Sequence, residues 1–343
     1  MLTFRTLNRQ EAWEMWQEGF PEDREAFFRL FWEKRSEQRE SFGLYDDGRL
    51  VSALHLIPQK LEIRNAEVDA VMVAGVATRR DARHRGYASI LMREAHERIR
   101  QAGYPLAFLD PFLEAFYRPF GYETGTGYRD IVFGAEGDPQ RLSAVKDTAA
   151  LRSVYRERTR EMGVCVNRSQ ADWAFRNADL ALENGAVWKD NRSSSYLMLT
   201  EEEDSVRIFE HQTAPGHLKD VMEAVCALYH KPVVCPVQAE TDEEGFRHGA
   251  MFAPIRIADL IRTVPRMEGE TEFRLGTPQG TLLVRLNPRE VSFEKTAGQA
   301  QISDRQMLLL MIGAEAHGAG DENLLKELRR IYPARRGIVW EQY

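Results

Sequence analysis

The apolar positions in the first third of the chain follow two spacings, one typical of helices and one typical of strands. Residues 2–7 form a short strand-like segment, and residues 9–20 and 23–32 carry apolar side chains at helical spacing. A hairpin is predicted around the turn Asp46-Asp47-Gly48, because apolar-rich arms flank it. The almost continuous apolar run VDAVMVAGVAT, residues 68–78, predicts a central buried strand.

A long helix is predicted to begin at Gly86 and to run to about Gln101, followed by the buried strand LAFLD and a short helix that turns into a strand. The predicted order is therefore β-α-α-β-β-β-α-β-α-β. Because three strands come in succession before the main helix, the sheet is expected to be mixed, with antiparallel hairpins leading to one parallel crossover. This pattern predicts the α+β class rather than a doubly wound sheet.

The remaining residues predict two further units, giving domains at 1–138, 139–252 and 253–343. The second unit is expected to begin with a long helical segment over 139–161, with strands at 185–200, 204–212 and 231–237 and a helix at 217–229. The third is expected to contain a hairpin at 271–288 and a helix capped by Ser303 or Asp304 and stopped by Gly313. A basic helix follows at 323–331.

Composition narrows the classes of protein that fit. The chain has 343 residues and a formal net charge of −7, with a pI near 5.8, which disfavours a general nucleic-acid binder. Mean hydropathy is −0.46, and neither an 18-residue apolar run nor a signal-peptide core is present, so a cytoplasmic protein without membrane contact is expected. The three cysteines form no CxxC pair, and His211, His217 and His230 lack ligand spacing, so no metal site is predicted.

One stretch of this acidic chain is strongly basic. Seven arginines lie between Arg79 and Arg100, against three carboxylates. Within it, Arg83-x-x-Gly86-x-Ala88 follows the central strand and opens a helix, where free backbone N–H groups and the helix dipole favour an anion. The GxGxxG and GxxxxGK[ST] patterns are absent. From the residues alone, a diphosphate site and a surface helix start with solvated arginines both remain open.

The segment VAGVATRRDARHRGYASILMREA resembles the acyl-CoA-binding motif of the GNAT superfamily of N-acetyltransferases, and the resemblance extends over roughly residues 1–135. It implies that the strand ending in Val76-Ala77-Thr78 separates from the strand 106–109 and that its backbone pairs with the pantetheine arm of coenzyme A. It also implies that the loop and helix start hold the pyrophosphate through six residues: Arg83, His84, Arg85, Gly86, Tyr87 and Ala88.

Three further segments, EAFYRPFGYE, NRSQADWAF and YPARRGIVWEQY, are similar to the enhanced intracellular survival (Eis) family of GNAT proteins. This resemblance covers nearly the whole chain. It implies an active N-terminal acetyltransferase domain, a second GNAT-like domain without cofactor and a C-terminal domain like the sterol carrier proteins. It also implies a homo-oligomer, often a hexamer.

The same resemblance assigns two catalytic groups. Tyr117, the first tyrosine of FYRPFGY, would donate a proton to the departing thiolate, whereas packing among neighbouring aromatic rings is the alternative role. The carboxylate of Tyr343 would reach the active site and orient a cationic acceptor, whereas a frayed terminus is the alternative. The early aromatic residues are equally consistent with an acceptor pocket and with core packing; these are Phe27, Phe28, Phe31 and Trp32.

The sequence therefore predicts an acetyl-CoA-dependent N-acetyltransferase. Acetyl-CoA would be the donor substrate, and the acceptor would be a primary amine of a small cationic, aminoglycoside-like molecule or of a lysine. Transfer would be direct, in a ternary complex. Two alternatives stay open at this point: a non-enzymatic acyl-CoA-binding sensor, and a lipid-binding protein that acts through the C-terminal domain.

Overall fold

The computed structural model describes residues 1–35, 39–134, 137–146, 148–239, 243–267, 269–316, 318–337 and 339. The elements up to residue 134 are β1 Leu2–Thr6, α1 Arg9–Gly19, α2 Glu25–Lys34, β2 Glu40–Asp46, β3 Arg49–Ile63, β4 Ala66–Thr78, α3 Tyr87–Gln101, β5 Leu106–Leu109, α4 Glu114–Tyr117, β6 Glu123–Thr124 and β7 Gly127–Phe133. Those between 137 and 239 are β8 Leu142–Ala144, α5 Leu151–Thr159, β9 Val164–Val166, α6 Gln170–Leu182, β10 Ala186–Asp190, β11 Ser195–Glu201, β12 Val206–Gln212, α7 Leu218–Tyr229 and β13 Val233–Gln238. Those that follow are β14 Arg247–His248, β15 Met251–Pro254, α8 Ile257–Thr263, β16 Thr271–Thr277, β17 Gly280–Leu286, β18 Val291–Thr296, β19 Ile302–Ser303, α9 Asp304–Ile312 and α10 Glu322–Ile331.

The first sheet has the order β1-β2-β3-β4-β5-β15-β6, with β9 pairing on β3. The predicted order of elements and the mixed sheet are confirmed, because β4 and β5 are parallel whereas the hairpins before them are antiparallel. Helices α1 and α2 cover one face of this sheet, and α3 and α4 cover the other, so that two separate apolar cores lie on its two sides.

The first two sheets exchange strands across the predicted domain boundaries. The second sheet has the order β14-β7-β13-β12-β11-β10-β8. Strand β7 follows β6 of the first sheet along the chain, but it pairs with β13 in the second sheet. In return, β15 comes back from residue 251 and pairs between β5 and β6. The two sheets share the mixed topology expected of two GNAT-like units, and the strand exchange joins them covalently and by backbone hydrogen bonds.

The prediction of one long helix over 139–161 is wrong for the first half of this segment. Leu142–Ala144 is strand β8, which pairs antiparallel with Trp188–Asp190, and helix α5 occupies only Leu151–Thr159. The physical reason is a buried ion pair: Arg141 donates to Asp190 at 2.9 and 2.8 Å and fixes the start of β8 against β10. Such pairing with a distant strand overrides the local helical pattern.

The third sheet has the order β18-β17-β16-β19, with α8, α9 and α10 packed in the same core as α1 and α2. The predicted limits of α9 are confirmed, since Ser303 caps it in a reciprocal capping box with Gln306 and Gly313 ends it at a φ of 88°. The likeness of this unit to sterol carrier proteins stays a prediction. No helix in the part of the chain that the structure describes is long and apolar enough to cross a membrane.

Candidate functional site

The site predicted by the basic stretch is built on a gap between two parallel strands. Strands β4 and β5 pair from Ala70 opposite Leu106 to Met72 opposite Phe108. Beyond this pair β4 continues to Thr78, whereas β5 ends at Leu109. The expected separation of the two strands is thus present, and it leaves one edge of β4 free for a ligand from Val73 onward.

A bulge in β4 lies at this gap. The register with β3 shifts so that Ala74 lies opposite His55 and Ala77 opposite Ala53, which leaves Gly75 and Val76 outside the ladder. Gly75 has a φ of 59°, and a Cβ atom there would lie 2.7 Å from a Trp16 ring carbon. Only glycine fits this position without strain, and the bulge turns the backbone of Val76 out of the regular pairing.

Hydrogen bonds fix the end of β4. The Ser52 hydroxyl donates to the Ala77 carbonyl at 2.8 Å and lies 2.9 Å from the Thr78 hydroxyl. The Arg83 Nε donates to the Thr78 carbonyl at 3.2 Å, which links the strand end to the following loop. The structure therefore brings the predicted strand residues and the predicted loop residues together at one edge of the first sheet.

The start of helix α3 offers open backbone donors. Gly86 is its N-cap with a φ of 80°, no side chain caps it, and a Cβ atom at Gly86 would meet nothing within 4 Å. His84 also has a positive φ, of 63°. The N–H groups of the first helical turn have no partner within the helix, and the positive end of the helix dipole adds to them, so the arrangement fits a phosphate group.

The charged side chains around this start are exposed, and two of them are already hydrogen-bonded. Arg80, Arg83, His84 and Arg85 are all exposed. Arg83 donates to the Thr78 carbonyl and, at 2.8 Å, to the Glu18 carbonyl, and Arg85 is hydrogen-bonded to Tyr87. The Tyr87 hydroxyl donates to Asp46 at 2.6 Å, so this side chain is fixed to the β2–β3 turn. What Tyr87 and Ala88 offer a ligand is therefore the backbone N–H groups of the first helical turn.

Arg79, by contrast, is part of the scaffold. Its Nε donates to the Leu50 carbonyl at 2.8 Å, and its guanidinium lies 3.5 Å from Glu14 and 3.8 Å from Glu18 on α1. These contacts hold α1 beside the end of β4. Because Glu14 and Glu18 offset the charge of Arg79, the excess positive charge available to a ligand is smaller than the sequence suggests.

Tyr117 ends the short helix α4 on the α3 side of the sheet. It is 3% exposed and packs edge-to-face against Phe116 and Tyr122, with ring centroids 4.9 and 6.0 Å apart. Burial, and then the nearby Asp110 carboxylate, raise the pKa of Tyr117 above its usual range. Tyr117 is therefore protonated at neutral pH and able to donate a hydrogen bond.

Polar contacts hold the segment around Tyr117 in place. The Tyr122 hydroxyl lies 3.1 Å from His96 Nε2 on α3, and burial lowers the pKa of His96 to about 4, so the imidazole is neutral. On the outer side, Glu114 lies 3.1 Å from Arg118 and 2.7 Å from His248 Nδ1. A helix of four residues would not persist alone, and these contacts fix it.

Asp110 is a candidate that the sequence analysis missed. It follows β5 directly, at the open end of the gap between β4 and β5. Partial loss of solvation raises its pKa to about 6, and its charge acts on Tyr117. A carboxylate with this pKa accepts and releases protons near neutral pH. Its position directly after a buried strand was visible in the sequence, but its environment was not.

The aromatic residues of α1 and α2 belong to the core on the side of the sheet where Gly75 contacts Trp16. Phe28 and Phe31 are buried in the core, which confirms packing as their role, whereas Phe27 and Trp32 are partly exposed. His55, which the sequence analysis also missed, lies among these rings at 5.5 Å from the ring of Trp16. Burial, and then the Arg39 charge, lower its pKa to about 3, so it is a neutral hydrogen-bonding group 2.7 Å from the Ser41 hydroxyl.

The C-terminal segment is docked between the units as far as the structure describes it. The Gly163 N–H donates to the Arg336 carbonyl at 2.7 Å, and Gln238 Nε2 donates to the Gly337 carbonyl at 2.9 Å. Val339 packs on the core that contains α1 and α2. Tyr343, predicted to reach the active site, lies outside the described residues, and its role stays a prediction.

The second unit repeats this topology with a different gap. Strands β12 and β13 are parallel, pair at Val206–Val233 and Arg207–Val234, and then separate. The His211 Nε2 donates across the gap to the Pro236 carbonyl at 3.0 Å. The loop before α7, residues 213–217, carries no arginine or lysine. The second gap therefore lacks the basic loop of the first, and a hydrogen bond from His211 crosses it.

Comparison with known proteins agrees with this geometry. Residues 5–125 match the sequence model of a family described as an acetyltransferase (GNAT) domain. This match supports the GNAT acetyltransferase superfamily for the part of the chain that holds the β4–α3–β5 site. The assignment to the Eis family within it stays a prediction.

Three individual proteins illustrate the similarity. An uncharacterized N-acetyltransferase of Streptomyces avermitilis is 27% identical over 173 residues, which span 48% of this chain and 41% of that protein. A conserved protein of unknown function from Enterococcus faecalis V583, described as a probable N-acyltransferase, has the same fold over 100% of both chains, with a TM-score of 0.84 at 15% identity. Eis1 from Mycobacterium abscessus also matches over 100% of both chains, with a TM-score of 0.75 at 13% identity.

Proposed function

We propose that this chain is an acetyl-CoA-dependent N-acetyltransferase whose acceptor is a primary amine. The observation that carries the proposal is the combination of the bulged, half-unpaired strand β4 with the uncapped start of α3 directly after it. The free edge at Gly75–Val76 suits the amide groups of a pantetheine arm, and the open N–H groups at Gly86 suit a pyrophosphate. The matched GNAT domain and the N-acetyltransferase relative support the same reaction class.

Three further features support coenzyme A as the ligand. Gly86 borders open space, so a bulky diphosphate can approach its backbone. Arg80, Arg83 and Arg85 are exposed beside it and can pair with additional phosphate oxygens. The second unit lacks arginine and lysine at the corresponding loop and closes its gap with His211. We therefore expect one coenzyme A per chain.

In the proposed reaction the amine nitrogen attacks the thioester carbonyl, the C–N bond forms and the C–S bond breaks. The amine loses a proton and the thiolate gains one, so the products are an amide and a free thiol. Asp110, with a pKa of about 6, accepts the amine proton as the bond forms. Tyr117 donates a hydrogen bond and then its proton to the departing sulfur, and exchange with solvent restores both groups.

The acceptor is proposed to be cationic, a small aminoglycoside-like amine or a lysine, oriented in part by the carboxylate of Tyr343. A variant extended by a tag after Tyr343 tests this role. Its activity should fall with CoA affinity unchanged, whereas full activity with a long extension would remove Tyr343 from the mechanism. The oligomer that the resemblance implies likewise stays a prediction, which light scattering tests.

The deciding experiment measures thiol release from acetyl-CoA across a panel of amines, together with CoA binding by titration calorimetry. We expect stoichiometric binding of one CoA per chain and thiol release with at least one cationic primary amine. Tight CoA binding without thiol release for any amine would indicate a CoA-binding protein instead. Absence of CoA binding would contradict the proposal as a whole.

A further inference from the structure

A cleft of about 670 Å³ lies between the first and third units. One wall is formed by α3, by the segment from Pro119 to Glu123 and by Pro254; the other is formed by the β16–β17 turn and by the loop and first turn that lead into α9. Because α3 rises about 1.5 Å per residue, Arg100 in the cleft lies about 20 Å along the helix from Tyr87. The cleft is therefore separate from the proposed pyrophosphate site.

Several polar groups of the cleft are already hydrogen-bonded within the protein. Arg305 reaches across one end, donating to the Arg118 carbonyl at 3.2 Å and lying 3.5 Å from Glu123. Gln306 is held in the capping box of Ser303, and Gln301 accepts from the Arg274 N–H at 3.0 Å. These contacts make a fixed frame rather than a set of groups open to a ligand.

Two groups of opposite charge keep unused bonding capacity, one on each wall. Arg100 donates from one nitrogen to the Ile255 carbonyl at 3.1 Å and lies 3.6 Å from Glu97 through another. Asp304 is 7% exposed, and the Arg305 N–H donates to its Oδ1 at 2.9 Å. The backbone N–H of Asp304 itself also donates to this carboxylate. Within the described residues, Asp304 forms no ion pair, so a cationic group bound in the cleft would supply one.

We propose that this cleft binds a small zwitterion of the α-amino acid or short peptide class, with its carboxylate on Arg100 and its ammonium group on Asp304. Charges of opposite sign on opposite walls match the two ends of such a molecule and disfavour a simple anion or cation, for which one wall would be repulsive. The volume also leaves room for a side chain beyond the two charged ends.

The site is connected to Tyr117 through two intervening side chains. The cleft wall includes His96, whose Nε2 lies 3.1 Å from the Tyr122 hydroxyl, and the ring of Tyr122 packs against that of Tyr117. Arg305 also packs over Gly121, where a Cβ atom would lie 3.7 Å from its Nε. A bound zwitterion therefore fixes the segment that carries Tyr117. This regulatory effect rests on the proposed acetyl transfer, whereas the binding itself does not.

The test is a calorimetric and NMR titration of the full chain with single L-amino acids and dipeptides, each beside its N-acetyl derivative and its amide. We expect at least one zwitterion to bind, and both derivatives to bind about tenfold more weakly or worse, because each lacks one charged end. Asp304→Asn and Arg100→Gln should each weaken binding by a similar factor. The matched surface variants Asp204→Asn and Lys189→Gln should leave it unchanged.

Urea unfolding of the same variants confirms that they are folded, and Arg100→Gln, at a partly exposed position, serves if Asp304→Asn does not fold. Absence of binding by every zwitterion at 10 millimolar, on the order of the weakest useful affinity, would overturn the proposal. So would equal binding of the N-acetyl derivative or the amide, or unchanged binding by both cleft variants. None of these results depends on turnover, so they are distinguishable from a failure of the acetyltransferase assay.

Discussion

Met72 on β4 lies opposite Phe108 on β5, and this is the last pair before the two strands separate. Three residues further along β4, Gly75 begins the bulge in which Gly75 and Val76 leave the ladder with β3, before pairing resumes at Ala77. Two features therefore leave backbone groups of β4 unpaired between Val73 and Val76: the end of pairing with β5 and the bulge opposite β3. Each of the following predictions tests one part of the site that results.

Gly75→Ala should destabilise the fold by about 3 kcal/mol, since a left-handed backbone contributes roughly 1–2 kcal/mol and overpacking roughly 1–3 kcal/mol. The new Cβ would lie 2.7 Å from a ring carbon of Trp16 and 2.8 Å from one of His55. Urea unfolding measures the change. Gly48→Ala is the control, because Gly48 has a φ of 83° but open space around it, and about 1 kcal/mol is expected there. Equal losses at both positions would contradict the role of the two rings.

Gly86→Ala should weaken CoA binding about tenfold, because a Cβ atom occupies the space through which the pyrophosphate approaches the backbone. Gly216→Ala is a closely matched control: Gly216 has a φ of 79°, borders open space and precedes α7 in the second unit. Both variants should lose about 1 kcal/mol of stability, and only Gly86→Ala should lose CoA affinity in calorimetry. Unchanged affinity in Gly86→Ala would place the phosphates elsewhere.

Arg85→Gln should reduce CoA affinity about tenfold, the loss expected of one charge-assisted contact to a phosphate. The exposed side chain of Arg85 follows His84 in the loop before α3, so its loss should leave the fold intact. Acetyl-pantetheine, which lacks the nucleotide and its phosphates, should be used by the variant as well as by the unchanged protein. A parallel loss with acetyl-pantetheine would show that Arg85 acts on the fold and not on phosphate.

Tyr117→Phe should lower kcat by about 100-fold, the typical contribution of a positioned proton donor, while CoA affinity stays the same. The buried ring keeps its packing against Phe116 and Tyr122, so only the hydroxyl is lost. Steady-state thiol release and calorimetry measure the two effects. Tyr128→Phe removes a tyrosine hydroxyl from β7, in the second sheet, and should be without effect. Full activity in Tyr117→Phe would leave packing as the role of this residue.

Asp110→Asn should remove the acidic limb of the pH–rate profile. Partial loss of solvation raises the pKa of Asp110 to about 6, so the base is protonated below this pH and the rate of the unchanged protein should rise with a midpoint near pH 6. The same raised pKa means that the ionised form is disfavoured by folding, so the variant should gain stability above pH 6 relative to the unchanged protein. A midpoint that persists in Asp110→Asn would assign the titration to another group.

The local part of the site was predictable from the sequence, because the apolar run of β4, the arginine-rich loop and Gly86 follow one another without a break. The order of elements in the first sheet followed for the same reason. What escaped the sequence depends on distant partners. Strand β8 exists because Arg141 meets Asp190, and β15 enters the first sheet from residue 251 onward. The raised pKa of Asp110 likewise depends on its folded environment, and the charges of the cleft come together only where the first and third units meet.

The strand exchange between the first two sheets has a consequence for how the chain acquires its structure. Because β15 must pair with β5, the sheet that carries the proposed CoA site is incomplete until residue 254 has left the ribosome. Contacts of such long sequence separation slow folding, since a large loop must close before they form. A fragment ending at residue 138 would expose the edge of β5 and the unpaired β7, and it is expected to aggregate rather than to retain activity.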